Sequence, residues 1–164
     1  MQYVIDIPQI CAVSKDNFDA FFSLIEELAD FEHLSKPSYE AKQRLFTDCT
    51  ENNSRIEAYL IYSEKKTIGY TIIFYSYSSF LAKPSLYLED IYVQPEFRSK
   101  GIGAFIMKFL AKKALNSGCG RMEWVVLDWN TSAQIFYENL GAVHMKEWFP
   151  YRMDESALQI LANT

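Results

Sequence analysis

Six consecutive residues, Arg98-Ser99-Lys100-Gly101-Ile102-Gly103, put two cations and two glycines between a strand-like and a helix-like stretch. Glycines just before a helix let the backbone approach an anion closely and aim unpaired N–H groups at it. The helix dipole adds about half a positive charge at that end. A diphosphate is the natural ligand of such a loop, and Arg98 and Lys100 would neutralise it locally in a chain of net charge −5. The plainer reading is a tight strand-to-helix turn with solvated basic residues. Two nucleotide-binding patterns are excluded: Gly101 and Gly103 lack the Walker spacing, and no third glycine completes a dinucleotide-binding fingerprint.

Carboxylates supply the other chemistry. Glu89 lies near the middle of the strand-like run before the loop and could take a proton directly or through water. Asp90 follows it on the opposite strand face and is the weaker base candidate. Tyr137, within a helical Ile135-Phe136-Tyr137 stretch, reads by itself as a core aromatic more readily than as a catalyst. His33 and His144 lack the clustering a metal site needs, so no metal is expected. Cys11, Cys49 and Cys119 are odd in number and far apart, which fits a reduced, cytoplasmic protein better than a disulfide framework.

The elements that must position these residues follow from periodicity. Tyr3–Ile7 reads as a first strand ended by Pro8. A helix follows over about 16–31, with Phe18, Phe21, Phe22, Ile25 and Ala29 on one apolar stripe. Ser38 caps a second helix to about Phe46, and 48–54 forms a polar loop. Strands over about 56–62 and 67–77 make a hairpin around Glu64-Lys65-Lys66. Lys83-Pro84-Ser85 breaks the chain before a strand over 86–93. The next helix runs from Ile102 to about Asn116, and the apolar run Met122–Leu127 reads as a central strand buried on both faces. Thr131 with Gln134 forms a capping box for a helix to Leu140. Two short strands, around 143–147 and 151–153, precede a last short helix. The order is that of a mixed α/β fold in a single domain over residues 1–164.

The motifs bear a family resemblance. Arg98-x-x-Gly101-x-Gly103 after a strand resembles the acetyl-CoA pyrophosphate loop of the GCN5-related N-acetyltransferases (GNAT). Within that superfamily, Leu86–Val93 (LYLEDIYV), Arg98–Gly103, Asp128–Ala142 (DWNTSAQIFYENLGA) and Glu27–Leu34 (ELADFEHL) resemble the diamine (spermidine/spermine) N-acetyltransferases. The resemblance implies a mixed, twisted central sheet flanked by helices, with splayed strands holding acetyl-CoA. It implies direct attack by a primary amine, with Glu89 as base and Tyr137 as the acid that protonates the leaving thiolate. Backbone groups of Ile91, Tyr92 and Val93 would serve the oxyanion and the pantetheine arm. Arg98, Ser99, Lys100, Gly101, Ile102, Gly103 and Ala104 would hold the diphosphate, with Asn130, Thr131, Ala133 and Tyr137 completing the cofactor site. Phe31, Glu32, Glu89, Glu123, Trp124, Val125, Asp128 and Glu147 match acceptor-contacting positions. A homodimer is implied as well.

The sequence departs from the pattern at Ser99, where a small residue or glycine is frequent. A second departure is Lys146-Glu147-Trp148, where the subfamily carries an acidic stretch. The resemblance implies a polyamine or diamine as acceptor. Alternatives are a thialysine-like amino acid, a peptide or protein amine, and a non-catalytic acetyl-CoA-binding module. The acidic balance, 16 Lys+Arg against 21 Asp+Glu, argues against a nucleic-acid partner. The longest uncharged run, Thr67–Ala82, is too short and too rich in Tyr, Ser and Thr for a membrane span.

Overall fold

The computed structural model describes residues 7–52 and 54–164. It falls into two compact units, one through Val125 and one from Val126 to Thr164.

In the first unit, β1 (Gln9–Ala12) is followed by α1 (Phe18–Phe31), α2 (Tyr39–Thr50), β2 (Glu57–Ser63), β3 (Lys66–Ser78) and β4 (Lys83–Val93). A short 3-10 turn, Pro95–Phe97, leads to α3 (Ile102–Asn116) and then β5 (Arg121–Glu123). The sheet order is β1-β2-β3-β4-β5; the first three pairings are antiparallel and β4–β5 is parallel. This is the expected mixed sheet flanked by helices.

Side-chain alternation decides which helix covers which face. Ala58 and Leu60 of β2, Tyr70 and Ile72 of β3, and Tyr92 of β4 form one buried cluster with Phe18, Phe21, Phe22 and Leu24 of α1. Aromatic edges lock the layer: Phe21 meets Tyr70 at 5.3 Å and Phe18 meets Phe46 of α2 at 5.0 Å, both near-perpendicular. Tyr59, one residue from Leu60 and so on the opposite face, meets Phe109 of α3 at 5.2 Å. Lys113 Nζ, one turn further along α3, lies 2.6 Å from Glu57 Oε2.

Several boundaries differ from the sequence reading, each for a local reason. The expected strand at Tyr3–Ile7 lies outside the described residues except for Ile7; the observed first strand begins after Pro8, at Gln9. A proline lacks an N–H and is tolerated just ahead of a strand. α2 runs on to Thr50, taking up part of the expected polar loop, with Thr50 Oγ1 donating back to the Phe46 carbonyl. The β2–β3 turn is only Glu64-Lys65, both left-handed (φ 48° and 67°), while Lys66 already pairs with Ser63. β4 begins at Lys83 rather than after Ser85. Pro84 fits because β5 joins only from Ser85, so β4 is still an edge there and needs no donor.

The run Met122–Leu127 is not a central strand. β5 is three residues long and forms the sheet edge, and Val125 is 67% exposed. A short apolar run reports burial ambiguously, and this one has a strand neighbour on one side only.

The second unit contains α4 (Thr131–Asn139) and α5 (Glu155–Ala162). The N-cap of α4 is Asn130, whose side-chain oxygen accepts from Ala133 N; Gln134 instead donates to the Leu127 and Asp128 carbonyls, so the expected capping box does not form. Residues 143–147 and 151–153 are not strands. Neither segment has a ladder partner among the described strands, and Pro150 between them removes one donor.

Candidate active site

The site is built around the second half of β4. Pairing between β4 and β5 stops at Tyr87↔Glu123, yet β4 continues to Val93. From Leu88 onward β4 therefore has a strand neighbour only on the β3 side, among the described strands. Because β5 ends at Glu123, where its pairing with β4 stops, main-chain groups of β4 beyond Tyr87 have no ladder partner on that side among the described strands.

A bulge lies at the parting point. Ile72 pairs with Asp90 and Ile73 with Leu88, which leaves Glu89 as the extra residue. Bulges re-aim side chains and release ladder groups. Glu89 is exposed, and the Asp90 carbonyl takes a hydrogen bond from Thr71 Oγ1 at 2.8 Å, from a fully buried side chain.

The Asp90 carboxylate lies on the α1 face. Tyr70 Oη donates to its Oδ2 at 3.2 Å. Its pKa is pushed up from an ordinary 3.8 to about 6, first by burial, then by the neighbouring Glu89 charge, with Glu32 adding to the rise and the Tyr70 hydrogen bond opposing it. Glu32, half-buried just past the end of α1, has its own pKa raised by burial. The structure thus brings Glu32 and Glu89 within electrostatic reach of Asp90, with the phenol of buried Tyr70 held protonated beside it.

Past Val93 the chain turns through Pro95–Phe97 into the basic loop. Ser99 (φ 58°) and Gly101 (φ 81°) are both left-handed. A Cβ on Gly101 would meet nothing within 4 Å, so the glycine answers to backbone conformation rather than to crowding. Gly101 is the N-cap of α3 and no side chain caps it, so the first-turn N–H groups have no capping partner. With the open edge of β4 leading up to it, this donor set fits an elongated ligand ending in a diphosphate.

Arg98 does more than lend charge. Its Nε donates to the Val93 carbonyl at 2.8 Å, and its guanidinium lies 4.8 Å from the Phe31 ring and 5.5 Å from the Tyr92 ring. Nearby, Glu27 of α1 accepts from Tyr92 Oη at 3.1 Å and from Gln94 Nε2 at 3.0 Å. Lys100 sits over the Phe97 ring.

The other expected site residues belong to β5, the segment after it and the second unit. Glu123 is ion-paired with Arg121 at 3.1 Å on β5, with Trp124 half-buried and Val125 exposed after it. In the second unit Asn130 caps α4, while Asp128 and Glu147 are exposed. Tyr137 is half-buried on α4, and burial pushes its phenol up to about 12, so it is protonated at neutral pH. The structure adds Tyr70, Thr71, Glu27 and Gln94, which the sequence analysis does not single out, to the surroundings of Asp90 and Tyr92. Glu27 did leave a signal, an acid four residues before Phe31 and so on the same helix face.

Comparison with known proteins shows the family. A sequence profile of the acetyltransferase (GNAT) family matches residues 18–142. A thialysine N-epsilon-acetyltransferase of Caenorhabditis elegans is 30% identical over 158 residues, covering 94% of this chain and 97% of the relative. An L-ornithine N5-acetyltransferase of Arabidopsis thaliana is 44% identical over 93 residues, 57% of this chain and 41% of that protein. Among solved structures, an integron cassette protein from the mobile metagenome of V. cholerae superposes with a TM-score of 0.78 at 25% identity, covering 96% of this chain and 98% of the other.

Proposed function

The chain belongs to the acetyltransferase (GNAT) family, and on that premise we propose that it transfers the acetyl group of acetyl-CoA to a primary amine of a small, flexible diamine-type acceptor. The observation that carries the acceptor class is the grouping of Glu32, Glu89 and Asp90 at the bulge, where β4 parts from β5. Carboxylates there would hold a second ammonium group and fix the register of the first. Polyamines and the ω-amines of diamino acids both fit that description. The relatives that act on thialysine and ornithine support the diamino-acid form.

An alkylammonium with an ordinary pKa of about 10.4 must lose a proton before it attacks. Glu89, exposed at the bulge, is the proposed acceptor of that proton. Asp90 is the second reading, favoured by a carboxyl that titrates at about 6, close to working pH. The two are separable, because Asp90 as base puts the acid limb of the pH–rate profile near that value. Main-chain groups of Ile91–Val93, on the open side of β4, would stabilise the charge that develops on the acetyl oxygen. Residues 98–104 would bind the diphosphate, and Tyr137 would return a proton to the leaving thiolate. The bound thioester supplies the acyl group, and the protein supplies orientation and proton transfer.

We also propose that residues 1–164 work as one cytoplasmic catalytic domain and as a homodimer. Pairing of two copies is supported by the exposed apolar side chains of the second unit, among them Trp148, Phe149 and Tyr151. No group of three or more His, Cys, Asp or Glu able to hold a metal occurs among the described residues, and none of their helices is long and apolar enough to cross a membrane.

The test is release of free CoA thiol with putrescine, spermidine, spermine, thialysine, ornithine, lysine and short peptides as acceptors. Small diamines or diamino acids should give the highest kcat/KM. Release only with peptides would overturn the acceptor class. No release with any amine, despite acetyl-CoA binding, would overturn the enzyme reading in favour of a binding module.

A further inference from the structure

The phosphate loop and the acceptor side of the first unit are joined through one side chain. Arg98 opens the loop, but its guanidinium is laid against Phe31 at the end of α1 and against Tyr92 of β4, with Nε committed to the Val93 carbonyl. A guanidinium stacks through its faces while its remaining N–H groups point outward in plane, so stacking and anion binding are compatible. One turn back on α1, Glu27 holds Tyr92 and Gln94, so the last turns of α1 are tied to the end of β4 at two points. Phe31 and Glu32 occupy the acceptor side of the proposed site, and 98–104 the donor side.

We propose that Arg98 is a positioning residue that couples the two substrate sites: a diphosphate on the loop fixes the guanidinium plane, and that plane orders Phe31 and Glu32 for the amine. The inference rests on the acetyltransferase reading. A ligand that orders the left-handed backbone at Ser99 and Gly101 also orders Arg98, which adjoins Ser99, and through the ring contact the end of α1. Because such coupling is a free energy shared by two sites, the amine must tighten CoA by the same factor that CoA tightens the amine.

Titration calorimetry of CoA, with and without saturating thialysine or spermidine, measures that factor without turnover. In the wild-type protein the amine should tighten CoA by about fivefold or more. Arg98→Lys keeps the charge but loses the planar stack and the Nε donor, and should bring the factor to within about twofold of unity. Phe31→Leu should do the same from the helix side, whereas Phe31→Tyr, which restores a ring, should keep the wild-type factor. If Arg98→Lys no longer binds CoA, the Phe31 pair decides. Wild-type coupling retained in Phe31→Leu would overturn the proposal. So would a wild-type protein that binds both ligands independently, and that result would leave the acetyltransferase reading standing. A wild-type protein that binds no CoA at all would overturn both.

Discussion

Replacing Asp90 by Asn should stabilise the protein at neutral pH. Its carboxyl has a folded-state pKa of about 6 against an ordinary 3.8, so the folded state holds this proton more tightly than the unfolded chain does. Ionisation therefore costs stability: nothing well below pH 3.8, an increasing amount as pH rises to about 6, and the full amount above that. This reverses the usual carboxylate case, in which a depressed pKa adds stability as pH rises. At about 1.4 kcal/mol per pH unit, the two-unit difference corresponds to at most about 3 kcal/mol. Water reaching a half-buried site lowers that ceiling, so a gain of about 1–3 kcal/mol is expected. Asn is isosteric, and its Oδ1 still accepts from Tyr70, so packing changes little. Urea unfolding of both proteins at about pH 7.5 and pH 3.5 gives the answer. The gain should appear at the higher pH and vanish at the lower. A variant no more stable than wild type at the higher pH would refute the claim that the site strains this carboxylate.

Three further variants test other parts of the structure. Glu64→Asn with Lys65→Gly places the residues preferred in a two-residue turn with both φ positive, and should raise stability by about 1–2 kcal/mol; a lower urea midpoint would contradict the turn geometry. Gly69→Ala would drive a Cβ into the Tyr92 carbonyl oxygen, across from the open edge of β4. It should cost about 1–3 kcal/mol and weaken acetyl-CoA binding, read by thermal unfolding and calorimetry. Tyr137→Phe should lower kcat by about 10²-fold or more with little change in acetyl-CoA affinity, and an unchanged rate would remove Tyr137 from the mechanism.

Features encoded in neighbouring residues were legible in the sequence. The loop at 98–103 could be read because glycine spacing and an adjoining helix stripe are local signals, and Ser38 because its cap bond to Ala41 N spans three residues. The setting of Asp90 was not legible, for the opposite reason. Its carboxyl is perturbed first by burial under distant elements, then by Glu89 beside it and by Glu32 on another element, at a bulge that alternation cannot reveal. The stack of Arg98 on Phe31 likewise depends on where α1 ends above the sheet. Met122–Leu127 misled because an apolar run states a preference for burial without naming the neighbour that provides it.

The edge of β4 beyond Tyr87 has a consequence for handling this protein. Among the described strands it has no ladder partner on that side, and an unpaired edge recruits strands from other chains. The edge proposed to receive a substrate arm is thus also an aggregation liability. A molecule lying along it would satisfy those main-chain groups and shift the folding equilibrium by mass action. Donor or product CoA should therefore act as a protectant during refolding and storage, through binding alone.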